Sequence, residues 1–160
     1  MQLEYFMNVN QTLYLETTIL SYLAARPSRD LIVAAHQQIT YEWWHESRAK
    51  FNLFISEAVI DEIKAGDKDA ATRRLAFTEG LPMLKLTDEI EILSVEYHDK
   101  LGLPQKAQMD VIHLAYVVAY EIAYLLTWNC SHLANGLVIQ RLQNLVVFKG
   151  NAMRTHILFH

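Results

Sequence analysis

Residues 12–20 read TLYLETTIL. A short apolar run of β-favouring residues (12–15) stops at an acid, Glu16, and two threonines then follow that can cap a helix reaching about residue 25. A buried strand that ends on a charge and turns at once into a helix is the opening of a βαβ unit. The same order recurs along the chain. NLFIS (52–56) leads into a helix capped by Ser56 and closed near residue 65 by Gly66. MLKL (83–86) precedes a helix capped at Thr87 and Asp88, and IAYLLT (122–127) precedes a long last helix that begins after Cys130. Between these lie three further helices. The first runs over 31–50, capped by Asp30, with Ile32, Ala35, Ile39, Trp43 and Trp44 along one stripe. The second runs from Asp67 to Gly80, and the third over about 105–121 after the turn Gly102-Leu103-Pro104. Alternating strands and helices imply a mainly parallel sheet with right-handed crossovers.

With 160 residues, 52% of them hydrophobic and 20% charged, the chain suits one globular domain with a sizeable core. No apolar run is long enough to cross a bilayer, and MQLEYFMNVNQ lacks the basic flank of a secretory signal. The single cysteine, Cys130, excludes a disulfide framework and cysteine-rich zinc sites, and the expectation is a reducing cytoplasm. Cys130 itself reads as a small packed residue, because no base partner is apparent. A net charge of −4 argues against a protein that coats nucleic acid non-specifically. Any attraction to a polynucleotide must be local or carried by a cation.

Four polar sites stand inside apolar elements, and in an open parallel sheet the carboxyl ends of the strands are where sites form. Glu16 is either an acid favoured at a helix start or a cation ligand at a strand end, with Thr17 beside it. On the helix after Ser56, Ala58, Val59 and Ile63 mark the buried side and Glu62 lies at its border. Asp61 is turned away from it by about 100°. Glu62 is therefore the candidate ligand and Asp61 faces solvent. Asp110 stands in MDVIHLAYVVAY, apolar on almost every face, where an unpaired acid is unusual. His113, three residues on, is either its hydrogen-bond partner in the core or a group that orients it or contacts a substrate. Asn129 follows the fourth strand, either as a turn cap or as an amide-oxygen donor, with Thr127 placed to help. Lys64, Arg73 and Arg74, with Lys68, form the densest basic patch, and Lys106 and Arg141 are further candidates for phosphate contacts. Tyr41, Trp43 and Trp44 could stack on bases, face a partner or belong to the core.

Taken in order, these sites resemble a family. An acid after strand one, an acid closing S-x-x-x-x-x-E, an acid opening D-x-x-H-L-A and a T-x-[D/N] after strand four look like a PIN domain. Within that group, the chain most resembles the VapC-like toxins of bacterial toxin–antitoxin systems. The resemblance covers about residues 12–145 and implies a PIN-like three-layer α/β/α sandwich around a central, mainly parallel sheet of four to five strands. It leaves the segment after about Gly150 (151–160, NAMRTHILFH), where THILF could add an edge strand. It further implies a Mg²⁺- or Mn²⁺-dependent endoribonuclease, a homodimer held inactive by a small antitoxin. The family's acids fall on Glu16, Glu62 and Asp110 as metal ligands, with Asn129 in the place of a fourth acid. Two departures follow: the first acid is usually Asp, and Asn129 removes one negative charge. They leave open a second reading, a PIN module that binds RNA or a protein without cutting. A third, a DNA flap nuclease, would call for long insertions and a basic character that this chain lacks.

Overall fold

The computed structural model describes residues 10–148 and 156–158. Five short strands form one parallel sheet in the order β3-β2-β1-β4-β5. They are β1 (Gln11–Leu15), β2 (Phe51–Ser56), β3 (Met83–Leu84), β4 (Tyr124–Leu126) and β5 (His156–Leu158). The helices are α1 (Thr17–Ala24), α2 (Leu31–Glu46), α3 (Glu57–Lys64), α4 (Lys68–Ala76), α5 (Asp88–Leu101), α6 (Gln108–Ala119) and α7 (Gly136–Phe148). This is an α/β/α sandwich of the expected class. The segment THILF supplies the edge strand, its residues His156–Leu158 running parallel to β4.

The central strand carries the fold. In β1, Leu13, Tyr14 and Leu15 are fully buried in succession, as a strand covered on both faces requires. Its register against β2 (Leu13 with Leu53) and β4 (Leu15 with Leu126) aligns the carboxyl ends of the three strands. Whatever follows each strand therefore arrives at one edge of the sheet. The helix starts are set by side chains that accept backbone N–H groups: Asp30 from Ile32 and Val33, Ser56 from Val59, Asp67 from Ala70 and Thr87 from Ile90. Helix α5 ends on Gly102, whose positive φ of 65° is one that residues with a Cβ adopt reluctantly.

Several elements are shorter than the sequence pattern suggests. Helix α2 stops at Glu46 rather than near 50, because a 3-10 turn (Arg48–Lys50) is needed to swing the chain into β2. The Arg48 guanidinium sits 4.1 Å over the Trp44 ring there. Trp43 and Trp44 are core residues, Trp44 packing edge-on against Phe77, so neither serves as a stacking platform or partner surface; only Tyr41 of that group is exposed. Helix α4 ends at Ala76, before Gly80, and β3 is reduced to two residues. The last helix does not begin after Cys130. Residues 129–134 form a turn in which the Asn129 carbonyl accepts from the Leu133 and Ala134 amides, and α7 starts only where Asn135 caps Leu137 and Val138. That turn leaves Cys130 exposed rather than packed. No helix among the described residues is long and apolar enough to cross a membrane.

The core position of β4 yields a direct test. Leu125 is fully buried whereas Ile92 on α5 is 68% exposed. Leu125→Ala is expected to cost about 2–5 kcal/mol, and Ile92→Ala to change stability by no more than about 0.5 kcal/mol, both read from urea unfolding midpoints.

Candidate active site

Glu16 leaves β1 as the residue just before α1, yet its carboxylate makes no capping bond to that helix. It is only 3% exposed, and it turns instead toward the end of β4. There Glu16 Oε2 accepts from Thr127 Oγ1 at 2.7 Å and also from the Thr18 hydroxyl. Both hydroxyls are themselves fixed by backbone donors, Thr127 by the Asn129 amide and Thr18 by the Trp128 amide, each at 2.9 Å. Thr17 and Thr18, expected as helix caps, serve carboxylates instead. No ion pair found among the described residues includes Glu16. A buried carboxylate held by neutral donors alone is costly, and charge of the opposite sign nearby is its usual compensation.

The nearest such charge is His113, which is fully buried. Its Nε2 lies 2.5 Å from Glu62 Oε1, which also accepts from Thr17 Oγ1 at 2.7 Å. Its Nδ1 lies 2.6 Å from the Tyr14 hydroxyl, which in turn is 2.7 Å from Ser56 Oγ. One hydrogen-bonded line thus runs Ser56–Tyr14–His113–Glu62–Thr17 through the interior, tying β2, β1, α6, α3 and α1 together. Burial pushes the His113 imidazole down, but the hydrogen bond to Glu62 and the charges of Glu16, Glu62 and Asp110 outweigh it, and the group lies above its ordinary value. Burial pushes the Glu62 carboxyl up, and the His113 bond and charge with the Thr17 bond carry it below the usual range. The two directions agree on an imidazolium–carboxylate pair. Nε2–H then donates to Glu62, Nδ1–H to Tyr14 and the Tyr14 hydroxyl to Ser56. Burial also raises Tyr14 well above the phenol range, so it stays a hydroxyl throughout.

Glu16, Glu62 and His113 each offer one ligand atom, and these atoms all lie within 4.8 Å of one another. Two carboxylates and an imidazole at this spacing are a donor set that suits a small divalent cation. The second oxygens, Glu16 Oε1 and Glu62 Oε2, accept no hydrogen bond among the described residues.

Asp110 does not belong to that group of three. Its Oδ2 lies 2.7 Å from His132 Nδ1, both side chains being mostly buried. Asp110 therefore does not bond His113, which lies one turn further along α6; that ring faces Tyr14 and Glu62. Only the charge of Asp110 reaches it. His132 escaped the reading of the sequence. Its signal was its position, three residues after an asparagine that turns the chain at the end of a strand. Asn129 makes that turn: its Oδ1 accepts from the His132 amide at 3.0 Å. A second line of bonds results, Glu16–Thr127–Asn129–His132–Asp110.

The basic candidates divide. Arg73 Nε donates to the Ala24 carbonyl at 3.1 Å and Arg141 Nη1 to the Leu101 carbonyl at 2.8 Å, each closing the end of a helix. Lys64, Lys68 and Lys106 are exposed, and Arg74 is partly so.

No family model matches the chain, and neither does any curated protein. Solved structures do. VapBC2 from Rickettsia felis, solved with a DNA fragment from its promoter, superposes with a TM-score of 0.58 at 14% identity, over 93% of this chain and all of that one. VapC20 from Mycobacterium tuberculosis, a toxin that cleaves the sarcin-ricin loop, gives a TM-score of 0.54 at 12% identity, over 71% of this chain and 87% of its own. A toxin–antitoxin complex from Klebsiella pneumoniae gives a TM-score of 0.54 at 19% identity, over 79% and 92%. The chain has the PIN-like fold of VapC-type toxins; at these identities the likeness is one of architecture.

The buried line of bonds can be broken at one atom. Tyr14→Phe keeps the ring and removes the hydroxyl that serves both His113 and Ser56. It is expected to lower stability by about 1–3 kcal/mol, measured by chemical unfolding, with the secondary structure unchanged by circular dichroism.

Proposed function

We propose that this chain is a divalent-cation-dependent endoribonuclease of the toxin type, working in the cytoplasm on RNA phosphodiester bonds. The observation that carries the reading is the meeting of Glu16, Glu62 and His113 within 4.8 Å at the carboxyl edge of a parallel sheet. Its support comes from the fold shared with toxins, one of which is described as cleaving a loop substrate. In this reading Glu16 and Glu62 hold a Mg²⁺ or Mn²⁺ ion. When bound, the ion supplies electrostatic stabilisation of the charge that builds on a phosphate under attack.

The other residues prepare that site. Thr18 and Thr127 fix the Glu16 carboxylate from two sides, and Thr17 fixes Glu62, so neither acid must be reoriented when substrate arrives. Asp110 holds the His132 ring through Nδ1 and leaves Nε2, which bonds nothing else among the described residues, for the phosphate. Asn129 holds the turn, and its side-chain amide is placed to steady a water or a phosphate oxygen. Lys64, Arg73 and Arg74 are the candidates for backbone contacts, Arg73 with its remaining guanidinium nitrogens. With a net charge of −4, binding to RNA rests on such local contacts.

Partners follow the same reading. Two of the structural relatives were solved as toxin–antitoxin assemblies, which supports an antitoxin as the partner; in this reading that antitoxin is small and the working form is a homodimer. The second reading, a module that binds without cutting, is favoured by one observation: Asn129 stands where the resemblance expects an acid, and its oxygen is already taken by the His132 amide.

Incubation of purified protein with single-stranded RNA and Mn²⁺ decides between them. Cleavage is expected in the wild type. Losses of about 100-fold or more are expected in Glu16→Gln and Glu62→Gln, and of about 10- to 100-fold in Asp110→Asn. Undiminished cutting by Glu62→Gln rejects the site. Calorimetry that detects no binding of Mn²⁺ by the wild type leaves the non-cutting module as the reading.

A further inference from the structure

We propose that His113 is itself a ligand of the cation site, its Nε2 proton passing to solvent as the ion binds and its Nδ1–H staying on Tyr14, and that this chain therefore selects a d-block divalent cation such as Mn²⁺ or Co²⁺ over Mg²⁺. The inference rests on the nuclease reading above and concerns which ion it uses and how.

Four observations carry it. First, His113 Nε2 lies among the oxygens, within 4.8 Å of both carboxylates. Second, its other ring nitrogen is held at 2.6 Å by Tyr14, which Ser56 holds in turn. An imidazole whose far nitrogen is fixed by a buried partner is the usual form of a metal-binding histidine, because that bond sets the ring's direction. Third, the ring is fully buried, and among the described residues Glu62 is the group bonded to Nε2, so that this nitrogen points into the cluster. Fourth, Asp110 lies outside the group whose ligand atoms are within 4.8 Å of one another, its Oδ2 bonded to His132, and the Asn129 oxygen accepts from the His132 amide. Two carboxylates and the imidazole make up that group.

Mg²⁺ binds oxygen, demands near-ideal octahedral geometry and tolerates substitution of its ligands badly. Imidazole suits the d-block ions, rising in affinity from Mn²⁺ through Co²⁺; Mn²⁺ shares the oxygen preference of Mg²⁺ but, with d electrons and a larger radius, also takes a nitrogen ligand. Two acids and a histidine therefore form a poor magnesium site and a good one for manganese or cobalt. The Tyr14–Ser56 line adds rigidity on the nitrogen side, which a flexible oxygen cage would lack.

The test uses the full-length protein freed of metal and loaded with Mn²⁺. Pulsed electron paramagnetic resonance is expected to show nitrogen coupling to the Mn²⁺ spin. Calorimetry is expected to give an affinity for Mn²⁺ at least about tenfold above that for Mg²⁺. In His113→Gln the coupling should vanish and the two affinities should converge. In His132→Gln both signals should persist, which assigns the nitrogen to His113. Bound Mn²⁺ without nitrogen coupling, equal affinity for the two ions, or coupling lost in His132→Gln overturns the inference and leaves the nuclease reading standing. If neither ion binds the wild type, the cation-dependent nuclease reading falls and this inference with it. The two wild-type measurements decide the matter even where His113→Gln fails to fold.

Discussion

A carboxylate is buried at the end of the central strand, and the rest of the site is arranged around the cost of putting it there. Glu16 sits at the junction of β1 and α1, almost out of reach of water, with hydroxyls as its direct partners. In a medium of low dielectric, neutral donors lessen the penalty of a charge without removing it. The imidazole of His113 supplies the missing positive charge, and it does so for Glu62 and Asp110 as well. Two acids are thus gathered about one buried ring, and the charge of a third, Asp110, reaches it. The helix that carries that ring must be apolar elsewhere for the effect to hold, and α6 is: Val111, Leu114, Ala115, Tyr116 and Val117 are all buried.

The sheet makes the gathering possible. Parallel strands in register end together, so residues nearly fifty or more positions apart in sequence arrive at one edge without any long loop. The hydroxyl residues at these ends then do two jobs. Ser56 caps α3 through Val59 and also bonds Tyr14, and Thr127 meets both Glu16 and the Asn129 amide. Side chains that close a helix or turn and simultaneously hold the site couple folding to the geometry of the active groups. Loss of one of them disturbs both.

Much of this was legible in the chain itself. Alternation of apolar runs with capped helices yields the sandwich, the caps at Asp30, Ser56 and Thr87 fall where the pattern puts them, and the helix read as starting near Asp67 is capped by that residue. Choosing Glu62 over Asp61 followed from the buried stripe of α3, and the structure leaves Asp61 exposed. What could not be read was pairing across the fold. Asp110 and His113 lie on one helix face, so a bond between them was the natural expectation. Periodicity records which residues share a face but not how each side chain rotates, and Tyr14, on a strand 99 positions away, claims the ring. For the same reason His132 was invisible: its role depends on a turn, and turns have no period. The tryptophans of α2 misled in the opposite way, since a stripe that suits a partner also suits the core of its own chain.

The pairing that the sequence concealed changes what kind of site this is. Four acids converging on a point would repel one another strongly in the folded chain, and such a fold would lean on a cation to form at all. Here the fourth position is an amide, Asp110 is matched to His132, and Glu62 is matched to His113. Asp110 and Glu62 therefore each have an imidazole partner within the chain, while Glu16 has hydroxyls. In the reading proposed above, an incoming ion would meet two carboxylates that share one imidazolium, and it would compete with that imidazolium for both. Binding then depends on whether the ion can take the histidine as a ligand rather than merely repel it. An ion that accepts nitrogen would displace the Nε2 proton to solvent and turn its competitor into a ligand, whereas one that does not would bind against it.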